Sequence, residues 1–80
     1  MFYVYILRSL KDRNFYIGRT NDVQRRLREH NSGQNPSTKS RRPLELLEII
    51  ECSTEQESVK LEKEYKKGYK REDLKKKFDN

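Results

Sequence analysis

The sequence predicts one small α/β domain, built on paired strands with helices packed against them. Three observations carry that prediction. Residues 2–7 and 15–18 alternate in apolar character with the period of a strand. Two later stretches open with a helix-start pattern, Asn21 with Gln24 and Thr54 with Glu57. A length of 80 residues bounds the whole to a single domain with a small core.

The elements follow in order. Tyr3-Val4-Tyr5 and Tyr16-Ile17-Gly18 read as two paired strands, joined as a hairpin by the polar loop from Ser9 to Asn14. Side chains alternate faces along a strand. If Phe15 and Ile17 share the face of Val4 and Ile6, then Tyr5 and Tyr16 share the other, and Gly18 leaves an open spot there where a ligand's backbone could approach. A helix is expected to start at Asn21, to turn Val23 and Leu27 inward and to end at Gly33. Arg26 and His30 are four apart and share one face of it. Residues 34–43 form a polar, basic loop. Leu44 to Cys52 fits helical spacing as well as a strand, and Pro43 with the paired isoleucines favours the strand. Thr54 opens a further helix with Val59, Glu62, Tyr65 or Lys66, and Tyr69 as its inward stripe and Gly68 near its end. Arg71 to Phe78 reads as a short terminal helix with Leu74 and Phe78 four apart.

Hydrophobic content of 31% against 40% charge lies near the disorder boundary, and the ordered alternation argues for a folded domain. A lone cysteine, Cys52, excludes an intrachain disulfide, and a lone histidine excludes a zinc site of His and Cys ligands. Met1 to Leu7 has no basic leader and is too short for a membrane span, so a cytoplasmic protein is expected, with no membrane partner. Net charge is +6 and unevenly spread. Residues 8–42 hold ten Lys or Arg against three acids, residues 60–78 hold nine against four, and residues 44–58 hold five glutamates and no cation. Such basic regions favour a polyanion through counterion release, nucleic acid being the commonest, or else serve solubility.

Individual residues leave two readings each. A carboxylate at Glu62 on an apolar stripe needs a partner, either an ion pair to Arg26 or to a lysine of its own helix, or a metal. Arg26 is a surface residue or a guanidinium fork for a phosphate. Tyr5 and Tyr16, on their own, read as core aromatics. His30 either caps its helix or carries a proton or a phosphate contact. Thr38, Lys39, Arg41 and Arg42 form a solvated turn or track a phosphate backbone.

The order of these motifs is what sets the chain apart. Tyr-Val-Tyr, about ten residues, Tyr-Ile-Gly, and Arg26 eight residues beyond the glycine are followed by His30-Asn31, by Thr38-Lys39-Ser40-Arg41-Arg42-Pro43 and by Glu62. This order resembles the GIY-YIG nuclease superfamily, and in particular its small single-domain bacterial members, over roughly residues 2–78. Tyr3 departs from the pattern, standing where the family name has glycine. The resemblance implies a three-stranded antiparallel sheet flanked by helices, an α+β arrangement in which Leu44 to Cys52 is the third strand. It implies a metal-dependent endonuclease acting on DNA with low intrinsic sequence specificity, the alternative being a non-catalytic nucleic-acid-binding module of the same fold. Tyr5, Tyr16, Arg26, His30 and Glu62 match catalytic positions, with Glu62 holding one Mg²⁺ or Mn²⁺, whereas Arg25 and Arg28 match none and are expected at the surface. Gly18, Arg19, Thr38, Lys39, Arg41 and Arg42 are the expected nucleic-acid contacts. Specificity would come from substrate shape, a homodimer or a partner protein.

Overall fold

The structure, a computed structural model, describes residues 1–78. Its order is β1 (Phe2–Ser9), β2 (Phe15–Thr20), α1 (Val23–Asn31), a short 3₁₀ turn (Lys39–Arg41), β3 (Leu44–Cys52), α2 (Glu55–Tyr65) and α3 (Gly68–Phe78). The strands form one antiparallel sheet in the order β2-β1-β3. The three-stranded α+β arrangement, with Leu44–Cys52 as its third strand, is as expected.

Strand alternation sorts the apolar residues onto two faces. Val4, Ile6, Phe15, Ile17 and Cys52 form one core, closed by Leu61 and Tyr65 of α2 and by Leu74 and Phe78 of α3. Tyr5, Leu7, Val23 and Leu44 form the other, with Tyr16 and Leu27 packed against them. Central strand β1 supplies both, which is why Val4 to Leu7 are buried without interruption.

The ambiguity of Leu44 to Cys52 has a physical origin. The register of β3 against β1 shifts between Ile6 and Leu7: Ile6 pairs with Glu48 and Leu7 with Leu46. Leu47 is the extra residue of this bulge. Its neighbour Leu46 packs on the tyrosine face and Leu47 on the opposite one. Because both faces of the sheet carry a core, two consecutive apolar residues are both used, which breaks the period of two that would have marked a strand.

The helix boundaries correct three expectations. Helix α1 is capped by Asp22, not Asn21: the Asp22 carboxylate accepts from the Arg25 backbone N–H at 3.1 Å. A carboxylate also complements the positive end of the helix dipole, which the neutral Asn21 cannot do. Gly33 stands just past the C-cap, Ser32, with φ of 84°, the left-handed conformation that suits glycine there. Thr54 caps α2 as expected, accepting from Glu57 N–H at 3.1 Å, while Glu57 accepts from Ser53 N–H at 2.9 Å. The inward line of α2 is buried Ser58 with partly buried Leu61 and Tyr65, at i, i+3 and i+7, so Val59 and Glu62 flank it rather than lie on it. Lys66 and Tyr69 are exposed, because α2 stops at Tyr65. Gly68 opens α3 and does not end α2.

The hairpin loop is tied to the 3₁₀ turn. Buried Ser9 donates to the Arg41 carbonyl at 2.6 Å and accepts from the N–H groups of Lys11 and Asp12, each at 3.1 Å. Arg41 Nε donates to Asp12 Oδ2 at 3.1 Å and its Nη2 to the Phe15 carbonyl at 3.3 Å. The end of α1 is clamped to the start of β3 by Asn31, which donates to the Leu44 carbonyl at 3.1 Å and accepts from its N–H at 2.8 Å.

Gly18 is not an open spot. It pairs with Tyr5 across β1 and β2, and a Cβ built there would collide with Cζ and Oη of the Tyr5 ring. The space that glycine leaves is filled from within by tyrosine. We expect Gly18→Ala to destabilise the fold by about 1–3 kcal/mol, the usual cost of overpacking. Urea denaturation measures it, with Gly68→Ala as a near-neutral control because a Cβ at Gly68 meets nothing within 4 Å.

Candidate active site

On the tyrosine face, β1, β2, α1 and the 3₁₀ loop converge. Tyr5 comes from the central strand and reaches over Gly18. His30 comes from the last turn of α1 and lies with its ring against both tyrosines, its centroid 5.8 Å from that of Tyr5 and 4.9 Å from that of Tyr16, edge-on in each case. The two tyrosine centroids are 6.4 Å apart. His30 Nε2 lies 2.9 Å from Tyr5 Oη, and Nδ1 lies 2.7 Å from Thr38 Oγ1. Tyr5, His30 and Thr38 are 1%, 0% and 0% exposed. A polar cluster this deep is stable only because its members satisfy one another.

Arg26, one helical turn before His30, interacts with the Tyr5 hydroxyl and donates to Glu29 Oε1 at 2.8 Å. Burial pulls its pKa down, but the interaction with the Tyr5 hydroxyl and the hydrogen bond to Glu29 outweigh that and leave it raised. Burial pushes the Tyr5 hydroxyl above the ordinary phenol value, against the pull of Arg26, so the phenol keeps its proton in this state. Burial, and then the Arg26 charge, push His30 below the ordinary imidazole value, with Glu29 opposing. His30 is therefore neutral near pH 7.

Glu62 stands on the flank of α2, with a side chain 21% exposed. Its partners are Arg19 Nε at 3.6 Å and Lys66 Nζ at 3.7 Å, not Arg26. Its charge reaches the Tyr5 hydroxyl and opposes loss of the phenol proton. Among the described residues no three His, Cys, Asp or Glu side chains gather as a metal-binding group. A single part-exposed carboxylate fits a hard divalent cation whose shell is completed by water and phosphate, as Mg²⁺ sites often are.

The expected nucleic-acid contacts divide. Lys39, Arg42 and Arg19 are exposed, although Arg42 Nε donates to the Lys39 carbonyl at 2.8 Å and Arg19 pairs with Glu62 and, at 3.9 Å, with Glu55. Arg41 is turned onto Asp12 and the Phe15 carbonyl and works as a brace. Thr38 and Gly18 are corrected: Thr38 is sealed behind His30 and Gly18 beneath Tyr5, so neither faces a phosphate. Arg25 and Arg28 lie on the exposed side of α1, as expected. One residue of the site, Glu29, and one bond, Thr38 to His30, escaped sequence reasoning. Glu29 was signalled by its i+3 and i+4 spacing from Arg26 and Arg25. The bond from Thr38 to His30 closes a loop of eight residues and leaves no periodic signal.

Comparison with known proteins gives the family. The chain matches the family model of the GIY-YIG catalytic domain over residues 1–77, and it belongs to the GIY-YIG family. Its relatives are UPF0213 proteins. It is 39% identical over 74 residues to the UPF0213 protein of Syntrophus aciditrophicus, covering 90% of this chain and 84% of that one. It is 41% identical over 58 residues to the UPF0213 protein YazA of Bacillus subtilis, a match that covers 71% of this chain and 59% of YazA. The solution NMR structure of a UPF0213 protein from Bacillus halodurans superposes with a TM-score of 0.56 at 37% identity, covering 92% of this chain and 82% of that one. Among the described residues, no helix is long and apolar enough to cross a membrane.

The buried imidazole makes stability depend on pH. In the unfolded chain His30 takes up a proton near its ordinary value of 6.5, whereas the folded site resists it. The unfolded state then binds more protons, so stability is lost as pH falls through 6.5 towards the folded value. We expect the melting temperature to drop between about pH 7 and pH 5.5, and His30→Gln to flatten that dependence. The depressed carboxyls of Asp12, hydrogen-bonded by the Asn14 N–H, and Glu64, hydrogen-bonded by Tyr69, act only below their ordinary 3.8 and 4.5, outside this window.

Proposed function

We propose that this protein is a metal-dependent endonuclease that hydrolyses phosphodiester bonds in DNA with low sequence specificity. The observation that carries the reading is the convergence of Arg26, Tyr5, Tyr16 and His30 on one face of the sheet. The chain's membership of a family whose model describes a catalytic domain supports it. The basic stretches before and after the acidic strip, with Lys39 and Arg42 exposed, provide a surface for a phosphate backbone read without its bases.

In this reading Arg26 grips the scissile phosphate and offsets the charge that builds on its oxygens. Its partner Glu29 is half-buried at the surface and gives way to the stronger anion. Tyr5, which keeps its proton at rest, orients the attacking water together with Tyr16. One bond forms from the water oxygen to phosphorus, the opposite P–O bond breaks, and the water's proton leaves to solvent while the departing oxygen takes one up. Glu62 would hold one Mg²⁺ or Mn²⁺, which when bound supplies Lewis acidity at the phosphate. The raised Tyr5 favours a second reading, a binding module that retains the fold, because a protonated phenol is no resting base.

Single-turnover cleavage and binding, measured on the same variants, separate the two. Arg26→Ala should lower the cleavage rate about 10²-fold or more while weakening DNA affinity far less. Tyr5→Phe removes only a hydroxyl and should impair cleavage with packing retained. A binding module shows no cleavage to lose and almost no response to Tyr5→Phe. Glu62→Gln tests the metal assignment: it should abolish Mg²⁺-dependent cleavage in a protein that still folds. If that variant unfolds and the wild type shows no heat on titration with Mg²⁺, Glu62 is an ion-pair partner only.

A further inference from the structure

The contact between Thr38 and His30 decides which way the hydrogen bonds of the buried cluster run. Thr38 Oγ1, the two nitrogens of His30 and Tyr5 Oη form a chain with two contacts, at 2.7 and 2.9 Å. A neutral imidazole brings one proton to this chain, and each hydroxyl brings another. Three protons meet two contacts, so one proton is left over at one end.

The two ends differ. Thr38 is 0% exposed, and among the described residues its hydroxyl has no hydrogen-bond partner other than His30. A surplus proton at that end would be a buried donor with no acceptor, an arrangement that folded proteins avoid. The Tyr5 end lies over Gly18 in edge strand β2, beside Arg26 and within the field of Glu62. Those two charged side chains are 30% and 21% exposed, so the Tyr5 end borders on part-exposed polar groups, as the Thr38 end does not.

We propose that Thr38 is a positioning residue that donates its hydroxyl proton to His30 Nδ1 and holds the imidazole in its Nε2–H tautomer. His30 is then a donor to Tyr5 Oη. Tyr5 Oη then accepts from His30 and turns its own proton towards the side where Arg26 and Glu62 stand. In the opposite tautomer His30 Nε2 would draw the Tyr5 proton inward, and the phenol would present a lone pair instead. One buried hydroxyl on a loop thus sets whether Tyr5 offers a hydrogen-bond donor to the incoming water or phosphate. The functional consequence rests on the nuclease reading; the tautomer does not.

Because His30 is the sole histidine, ¹⁵N spectra of the imidazole in uniformly labelled protein at neutral pH report its tautomer without ambiguity. The expected wild-type spectrum has a protonated-type signal at Nε2 and an unprotonated-type signal at Nδ1. Thr38→Ser should keep that spectrum. Thr38→Val, which keeps the shape and removes the hydroxyl, should shift both nitrogens towards averaged values. A wild type protonated at Nδ1, or a Thr38→Val spectrum identical to wild type, overturns the assignment. For cleavage, Thr38→Val should lower kcat about tenfold with KM unchanged, the scale typical of a residue acting through another, and Thr38→Ser should restore most of it. An unchanged kcat in Thr38→Val overturns the positioning role. If the wild-type protein cleaves no substrate, the nuclease reading falls, while the spectra still decide the tautomer on their own.

Discussion

Tyr5 is held at both ends of its side chain, by the glycine its ring covers and by the imidazole its hydroxyl meets. Each contact constrains a different part of the fold. The ring fits only where β2 presents Gly18 opposite Tyr5, so it fixes the register of the hairpin; a slip of one residue would bring Ile17 or Arg19 opposite it and turn every β2 side chain to the other face. The hydroxyl fits only if α1 lies across the sheet with His30 in its last turn facing inward. Asn31, the next residue, clamps that end of the helix to β3. Strand pairing, helix docking and loop closure thus meet at one phenol.

The charged residues around this point behave differently from the buried ones. Arg26 rests on Glu29, and Glu62 rests between Arg19 and Lys66. These are part-exposed pairs, worth about 0–1 kcal/mol each, and they exchange readily for a better partner. The bonds among Tyr5, His30 and Thr38 lie out of water, where rearrangement would strand a polar group. A fixed interior therefore carries an exchangeable rim. On the proposed reading this division suits the chemistry, since the phosphate takes the place of Glu29 at Arg26 without disturbing the groups that aim Tyr5. The loop before β3 shows the same division within a few residues: Thr38 and Arg41 face inward as bolts, while Lys39 and Arg42 stay outside.

The fold was legible because its main signals are local. Alternation in residues 2–7 and 15–18 and the capping pattern at Thr54 each depend on neighbours within one turn or one pleat, and each appears where expected. Errors arose where a local pattern had a close rival. Asn21 and Asp22 both suit an N-cap, and only the chain path selects the second. Leu44 to Cys52 kept a helix as rival because both faces of β3 carry apolar residues, and Pro43 with the paired isoleucines favoured the strand that forms. The line of α2 was read one position off, which made Glu62 look like an acid in a core stripe instead of one on its flank. At the site, the motif order pointed to Tyr5, Tyr16, Arg26 and His30, which do lie together. It misplaced Gly18 and Thr38, because an unoccupied glycine position and one filled by a tyrosine from the next strand look the same in one dimension, and a threonine in a basic loop carries no sign of being buried.

The same side chains serve as core and as candidate site, and the small size of the chain explains why. With 31% hydrophobic residues, the sheet has too few apolar side chains to fill two faces. One face is closed by two helices and is apolar; the other is closed by α1 alone, and its centre is made of Tyr5, His30 and Thr38. Such a core gains less from burial than an apolar one, because each polar group must first recover the hydrogen bonds it gave up to water. What it gains is direction: an aliphatic cluster could settle in several packings, whereas a hydroxyl, an imidazole and a phenol in a row keep their contacts only if the three side chains stay in line. That requirement holds the ring of Tyr5 against Gly18 and the guanidinium of Arg26 beside its oxygen even before any ligand arrives. Preorganisation of this kind is what a site for a charged transition state needs, so the polar core that weakens the domain is also the feature that equips it for the chemistry proposed.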